Sequence, residues 1–185
     1  MRVIAGVAKR IPLTAPKGID TRPTSDRAKE GLFNIIASCL PDSSFLDLFC
    51  GSGAVGIEAL SRGAKSAVFV DHSPKAVSAL KLNLEKTGLK QQAWYFCTKV
   101  DMAIEKFGKE STFFNIVFLD PPYGSDLVSD VLAQIVSSGI LAEGGIIVAE
   151  TDSKKIDNVP CSLYLYDVRV YGITKFLFFE MGAAK

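Results

Sequence analysis

The stretch "DLFCGSGAVG", Asp47 to Gly56, decides how the rest of the chain is read. It contains Gly51-x-Gly53-x-x-Gly56, a spacing that lets the backbone leave a strand, turn tightly and enter a helix close to a ligand. An acidic residue, Asp71, follows twenty residues after Gly51, where a ribose-binding carboxylate stands in dinucleotide sites. By itself the pattern reads as such a site, and a tight turn that binds nothing would also satisfy it.

Asp47 separates the possibilities. A dinucleotide lays its pyrophosphate against the N-terminus of the following helix, which favours negative charge. A carboxylate just ahead of the glycines opposes that anion. S-adenosylmethionine has no phosphate and carries a cationic amino group and a sulfonium, so Asp47 suits it. Asp71 serves the ribose diol of either cofactor. Asp101 follows a third predicted strand, where it could accept from an adenine amino group or cap a helix. The cofactor-binding candidates are therefore Asp47, Phe49, Gly51, Gly53, Asp71 and Asp101. Cys50 is expected to pack as a small residue and His72 to be an exposed loop residue.

The surrounding pattern alternates short apolar runs with amphipathic stretches. Strands are expected at 45–49, 65–71, 92–97, 115–120 and 145–150. Helices are expected after Gly53, from Ser73 with Pro74 in its first turn to Gly88, over "DMAIEKF", and over about 126–138. Such alternation predicts an α/β fold, a mostly parallel sheet with helices on both faces. After residue 160 the alternation stops, and two strand-like segments joined near Tyr171-Gly172 predict an antiparallel hairpin on the sheet. A small N-terminal extension precedes the sheet, with a Pro/Gly-rich link over 12–23 and a helix over about 25–40. The expected organisation is one domain, with residues 1–40 as a basic extension and helix and residues 41–185 as a Rossmann-like core of seven strands.

The second informative stretch is "FLDPPYG", 118–124, at the end of the fourth expected strand. Two consecutive prolines fix φ, remove two amide donors and hold the preceding residues extended. The stiff loop presents the Asp120 carboxylate and the Pro121 carbonyl as neighbouring acceptors, which match the two hydrogens of a planar exocyclic amine. That amine is a poor nucleophile because its lone pair is delocalised, and two acceptors would favour positive charge on nitrogen during attack. Tyr123 can stack on the base. Asp120, Pro121 and Tyr123 are the catalytic candidates.

Composition sets the outer bounds. The chain has 185 residues, 48% apolar and 22% charged, as in globular proteins. It has no apolar run of membrane-spanning length and no signal-like N-terminus. Four scattered cysteines and one histidine make a metal site unexpected and fit a reducing cytoplasm. The net charge of +1 conceals an uneven distribution: residues 1–30 carry a net +4 and the remainder a net −3. A basic arm on a mildly acidic body points to an anionic partner, though a solvated terminus would look the same.

Together these pieces resemble the RsmD family of bacterial methyltransferases, which act on guanine N2 in 16S ribosomal RNA (guanine 966 in the usual rRNA numbering). The resemblance rests on "RVIAG" (2–6), "TRPTSDRAKEGLFNI" (21–35), "LDLFCGSGAVGIEALSRGA" (46–64), "LDPPYG" (119–124) and "YGITKFLFFE" (171–180). It implies a class I methyltransferase fold, S-adenosylmethionine as cofactor, and 16S ribosomal RNA or the small ribosomal subunit as partner, with a monomer expected. It also gives the basic arm a partner, and Lys9, Arg10, Arg22 and Arg27 become phosphate-contact candidates. The rivals are methylation of adenine N6 or cytosine N4 in DNA, a ribosome assembly factor without catalysis, and an NAD-dependent oxidoreductase.

Overall fold

The structure, a computed structural model, describes residues 1–16, 26–122, 127–151 and 159–182. Its centre is a seven-stranded sheet formed by β1 (Ser44–Leu48), β2 (Ser66–Asp71), β3 (Ala93–Cys97), β4 (Phe114–Leu119), β5 (Leu141–Thr151), β6 (Leu163–Tyr171) and β7 (Thr174–Met181). The spatial order is β3-β2-β1-β4-β5-β7-β6. The first five strands run parallel, and β7 pairs antiparallel with both β5 and β6. β5 is longer at its start than the apolar run 145–150 suggests, because pairing continues to Leu141 across an irregular step opposite Phe114–Ile116.

Strand parity sorts the core into two layers. Phe45, Phe69, Ile116, Phe118, Val148, Phe176 and Phe178 share one cluster with α1 (Asp26–Ile35), α2 (Ala54–Ser61), α3 (Pro74–Thr87) and the N-terminal residues Val3, Ala8 and Leu13. Leu46, Leu48, Val70, Val117, Leu119, Ile147, Leu177 and Phe179 share the other with α4 (Val100–Lys109) and α5 (Leu127–Ser138). The central parallel strands β1 and β4 are buried on both faces, as a covered sheet requires, whereas β3 at the edge is partly exposed.

The helix signals read in the sequence act as expected at α3. The Ser73 hydroxyl accepts from the Ala76 N–H, Pro74 occupies the first turn, and Gly88 ends the helix at φ 71°. The N-terminal helix is shorter than 25–40, because a 3₁₀ turn at Ile36–Ser38 takes over where α1 stops.

Residues 1–14 fold as a hairpin over α2 and α3, joined by the Arg2–Pro12 bridge. Its docking combines the buried apolar Val3, Ala8 and Leu13 with a charge network. Glu58 on α2 is fully buried and accepts from the Ile4 and Ala5 amides at 2.8 and 2.9 Å, from Lys29 Nζ at 3.1 Å and from Arg62 Nε at 2.8 Å. Lys29, itself buried on α1, also donates to the Arg2 carbonyl at 2.7 Å. One carboxylate thus joins hairpin, α1 and α2, with each charge offset where water is excluded.

Candidate functional site

The chain reverses direction across the sheet between β1, which leads out to β2 and β3, and β4 on its other side. In such a sheet the crevice beyond the C-terminal strand ends at that reversal is the ligand position. The loop after β1 and the loop after β4 both open there.

Asp47 lies on the α2 side of β1 and is 2% exposed. Its Oδ2 accepts from the Gly56 N–H at 2.9 Å, so the carboxylate ties the strand to the first turn of α2 beneath the glycine loop. Burial raises its pKa to about 7; the Gly56 hydrogen bond works against that rise and the Asp71 carboxylate adds to it. Phe49, two residues on, holds φ at 62°, an unfavourable value for an aromatic residue. Such backbone costs about 1–3 kcal/mol and is concentrated at functional sites.

The three glycines have different jobs. A Cβ on Gly53 would meet Leu80 Cδ1 at 2.3 Å, and one on Gly56 would meet the Phe69 ring at 2.3 Å, so both permit close packing. Gly51 has φ 54°, and a Cβ there would meet nothing within 4 Å. It faces open space at the ligand edge. Asp71 clamps this turn: Oδ2 accepts from the Gly51 N–H at 2.9 Å and Oδ1 from the Ser73 N–H at 2.8 Å. Each oxygen retains acceptor capacity for a ribose hydroxyl. Asn83, fully buried on α3, donates to Ser52 O and Thr14 O and accepts from the Thr14 amide, bracing the loop and the hairpin end together.

S-adenosylmethionine is tested by this donor set. Two carboxylates flank a turn that is open at Gly51, and one of them lies under a helix N-terminus. Those groups fit a cation and a ribose, and Asp47 opposes a pyrophosphate at the same helix N-terminus. Of the two roles open to Asp101, the cap position of α4 is held by Lys99, and Asp101 is exposed in the first helical turn. There it is favoured by the helix dipole, with Oδ1 accepting from the Met102 amide.

Asp120 follows β4, and its amide donates to Leu48 O at 3.4 Å. Register and parity place it in one row with Glu150 of β5, on the same sheet face as Asp47. Desolvation, then the Glu150 carboxylate, then that of Asp47, push its pKa well above the carboxylate range. Pro121 is buried and Pro122 exposed. Tyr123 lies outside the described residues. Glu150, 3% exposed, is the acid that sequence reasoning missed. Its signal was the run "IIVAE", in which Ile147 and Ala149 face one layer while Val148 and Glu150 face the other.

The basic candidates do not converge. Arg27 is exposed at the start of α1, whose following 3₁₀ turn leads toward the N-terminal edge of the sheet, so Arg27 stands at the ligand edge. Lys9 and Arg10 are exposed near the hairpin tip, which is pinned to the end of α2 by Val7 N–H to Ser61 O and Ala8 N–H to Ser61 Oγ. That end of α2 lies near the start of β1, so the tip is at the edge away from Asp120. Arg22 lies outside the described residues. Cys50 is buried and His72 is exposed, as expected.

The model of the family described as conserved hypothetical protein 95 matches residues 1–180. YlbH of Bacillus subtilis (strain 168), provisionally named an rRNA methyltransferase, is 39% identical over 94% of this chain and 95% of its own. The ribosomal RNA small subunit methyltransferase D of Haemophilus influenzae is 30% identical, over 97% of this chain and 93% of its own. Among solved structures, yhhF of Escherichia coli, provisionally named a methyltransferase, superposes with a TM-score of 0.87 at 31% identity. That match covers 100% of this chain and 99% of the other.

Proposed function

Because the chain belongs to the family described as conserved hypothetical protein 95, the RsmD family, we propose that it methylates the exocyclic N2 amine of a guanine in 16S ribosomal RNA. The proposed setting is the small ribosomal subunit in the cytoplasm. The observation that carries this reading is the division of the ligand edge. Gly51 and the Asp47 and Asp71 carboxylates prepare one half for a cation with a ribose. Asp120 opens the other half, one strand away.

When bound, S-adenosylmethionine supplies an electrophilic methyl group on a sulfonium. Asp47 and Asp71 hold the loop that receives it, and their charge complements its cationic end. Asp120 accepts one hydrogen of the guanine amine and the Pro121 carbonyl the other. Tyr123 stacks on the base. As the nitrogen attacks, positive charge develops on it, and the Asp120 carboxylate stabilises that charge where it appears. The N–H of the methylated amine is acidic and gives up its proton to Asp120 or to water. Glu150 in the same row favours that transfer, because a second carboxylate keeps Asp120 basic. The guanine reaches this edge only when unstacked from its neighbours.

Nucleoside mass spectrometry tests the reading. The protein is incubated with labelled S-adenosylmethionine and, separately, with small subunits, naked 16S RNA and duplex DNA. The expected product is N2-methylguanosine from the ribosomal samples. Label on adenine N6 or cytosine N4 of DNA would replace the reading, and absence of label in every sample would favour a non-catalytic assembly factor.

A further inference from the structure

Tyr171, Gly172, Ile173 and Thr174 form a two-residue turn between β6 and β7, with Tyr171 paired to Thr174. Because Thr151, at the C-terminal end of parallel β5, pairs with Lys175, the turn lies at the same edge as Asp120. Two strand spacings separate β4 from β7, so the turn is about 10–15 Å from the Asp120 loop.

The turn is held from below. A Cβ on Gly31 of α1 would meet the Tyr171 ring at 2.2 Å, so that ring is seated on the bare backbone of the helix. The same ring packs against Phe176 at a centroid distance of 6.2 Å. Gly172 takes φ 64°, as a tight hairpin requires. Above this base Ile173 is 57% exposed, whereas the exposed Val170 faces the opposite side of the sheet from Tyr171. One branched apolar side chain, Ile173, thus stands out on a rigid tip, at the edge where the substrate enters. Arg27 is one helical turn before Gly31, on the side of α1 that the turn meets, and is itself exposed. An apolar point with a cation beside it matches a base step and its phosphate.

Resting on the proposed rRNA methylation, we propose that the β6–β7 turn is a substrate-positioning element, in which Ile173 packs on the base step vacated by the target guanine while Arg27 holds an adjacent phosphate. Apolar wedges of this kind stabilise an unstacked step by occupying the gap. Neither residue touches the reacting atoms; both act through the RNA.

The test compares Ile173→Ser, Ile173→Asp and Ile173→Leu with the wild type, measuring kcat/KM for methylation of small ribosomal subunits and, by calorimetry, the affinity for S-adenosylmethionine. Ser and Asp should lower kcat/KM by about 10- to 100-fold, the scale of one lost base contact. Leu should restore it to within about threefold, since it supplies the same apolar volume. Cofactor affinity should stay unchanged, and an Asp variant that loses it through misfolding leaves Ser to decide. Wild-type kcat/KM in Ile173→Ser, from an enzyme whose wild type makes N2-methylguanosine, overturns the wedge and leaves the function standing. A wild type that methylates no ribosomal RNA overturns both.

Discussion

Replacing Asp47 by Asn isolates the buried charge beneath the glycine loop. The amide oxygen can still accept from the Gly56 N–H, so the 2.9 Å tie between β1 and α2 survives. What disappears is the ionisation. A carboxyl with an ordinary pKa of 3.8 when unfolded and about 7 when folded binds its proton more tightly in the native state. The stability it contributes is complete below pH 4 and is lost as pH rises through 7. The difference between the two pKa values corresponds to about 4 kcal/mol. Urea unfolding at pH 5 and pH 8 measures this directly. Wild type should lose more stability over that interval than Asp47→Asn, by about 2–4 kcal/mol after allowance for the part already lost at pH 5. Cofactor binding should move the other way. A cation near Asp47 favours the ionised form, so S-adenosylmethionine should bind wild type more tightly as pH rises through 7. Asn should flatten that dependence and weaken binding by about 10- to 100-fold at pH 8. Identical pH dependence of stability in the two proteins would refute the placement of an ionisable, desolvated carboxyl under this loop.

Other consequences follow from the same geometry. Glu58→Gln or Lys29→Met should destabilise the fold by about 3–5 kcal/mol, since each leaves a buried partner uncompensated; chemical denaturation reads this. Gly31→Ala should cost about 1–3 kcal/mol by driving a methyl into the Tyr171 ring, with thermal unfolding as the readout. Arg27→Glu should weaken subunit binding and reduce its salt dependence, whereas Lys9→Glu with Arg10→Glu should do so less, because the hairpin tip lies at the other edge; equilibrium binding at several salt concentrations compares them. The rate of methyl transfer should rise with pH through a limb above the ordinary carboxylate range, because Asp120 must lose its proton to act as acceptor. Glu150→Gln should move that limb to lower pH.

Much of the architecture was legible in residue patterns, because local chemistry agreed with the global fold. Ser73, Pro74 and Gly88 marked α3 at both ends, and the "YGIT" turn marked the final hairpin. The glycine loop was legible as a motif, but its division of labour was not. That Gly53 and Gly56 serve packing while Gly51 stays open depends on Leu80 and Phe69, which approach from α3 and β2. The buried polar residues were harder. Glu58 and Asn83 sit on the apolar stripes of α2 and α3, where periodicity alone treats them as interruptions. Several of their partners come from the N-terminal hairpin, 53 to 69 residues away in sequence. Glu150 was hidden for a similar reason: its neighbour Asp120 becomes visible only once β4 and β5 are known to be adjacent. The basic arm was legible only as charge, because net charge along the chain carries no information about which edge of the sheet each cation reaches.

The most direct test of the account is single-turnover methyl transfer to small ribosomal subunits by wild type and Asp120→Ala at saturating S-adenosylmethionine. If Asp120 faces the amine across from the cofactor loop, the chemical step should slow by about 100- to 1000-fold, the usual consequence of losing one preorganised transition-state partner. Cofactor affinity should be preserved, and N2-methylguanosine should remain the product. Transfer at the wild-type rate by Asp120→Ala would contradict the account and return the loop after β4 to a purely structural role.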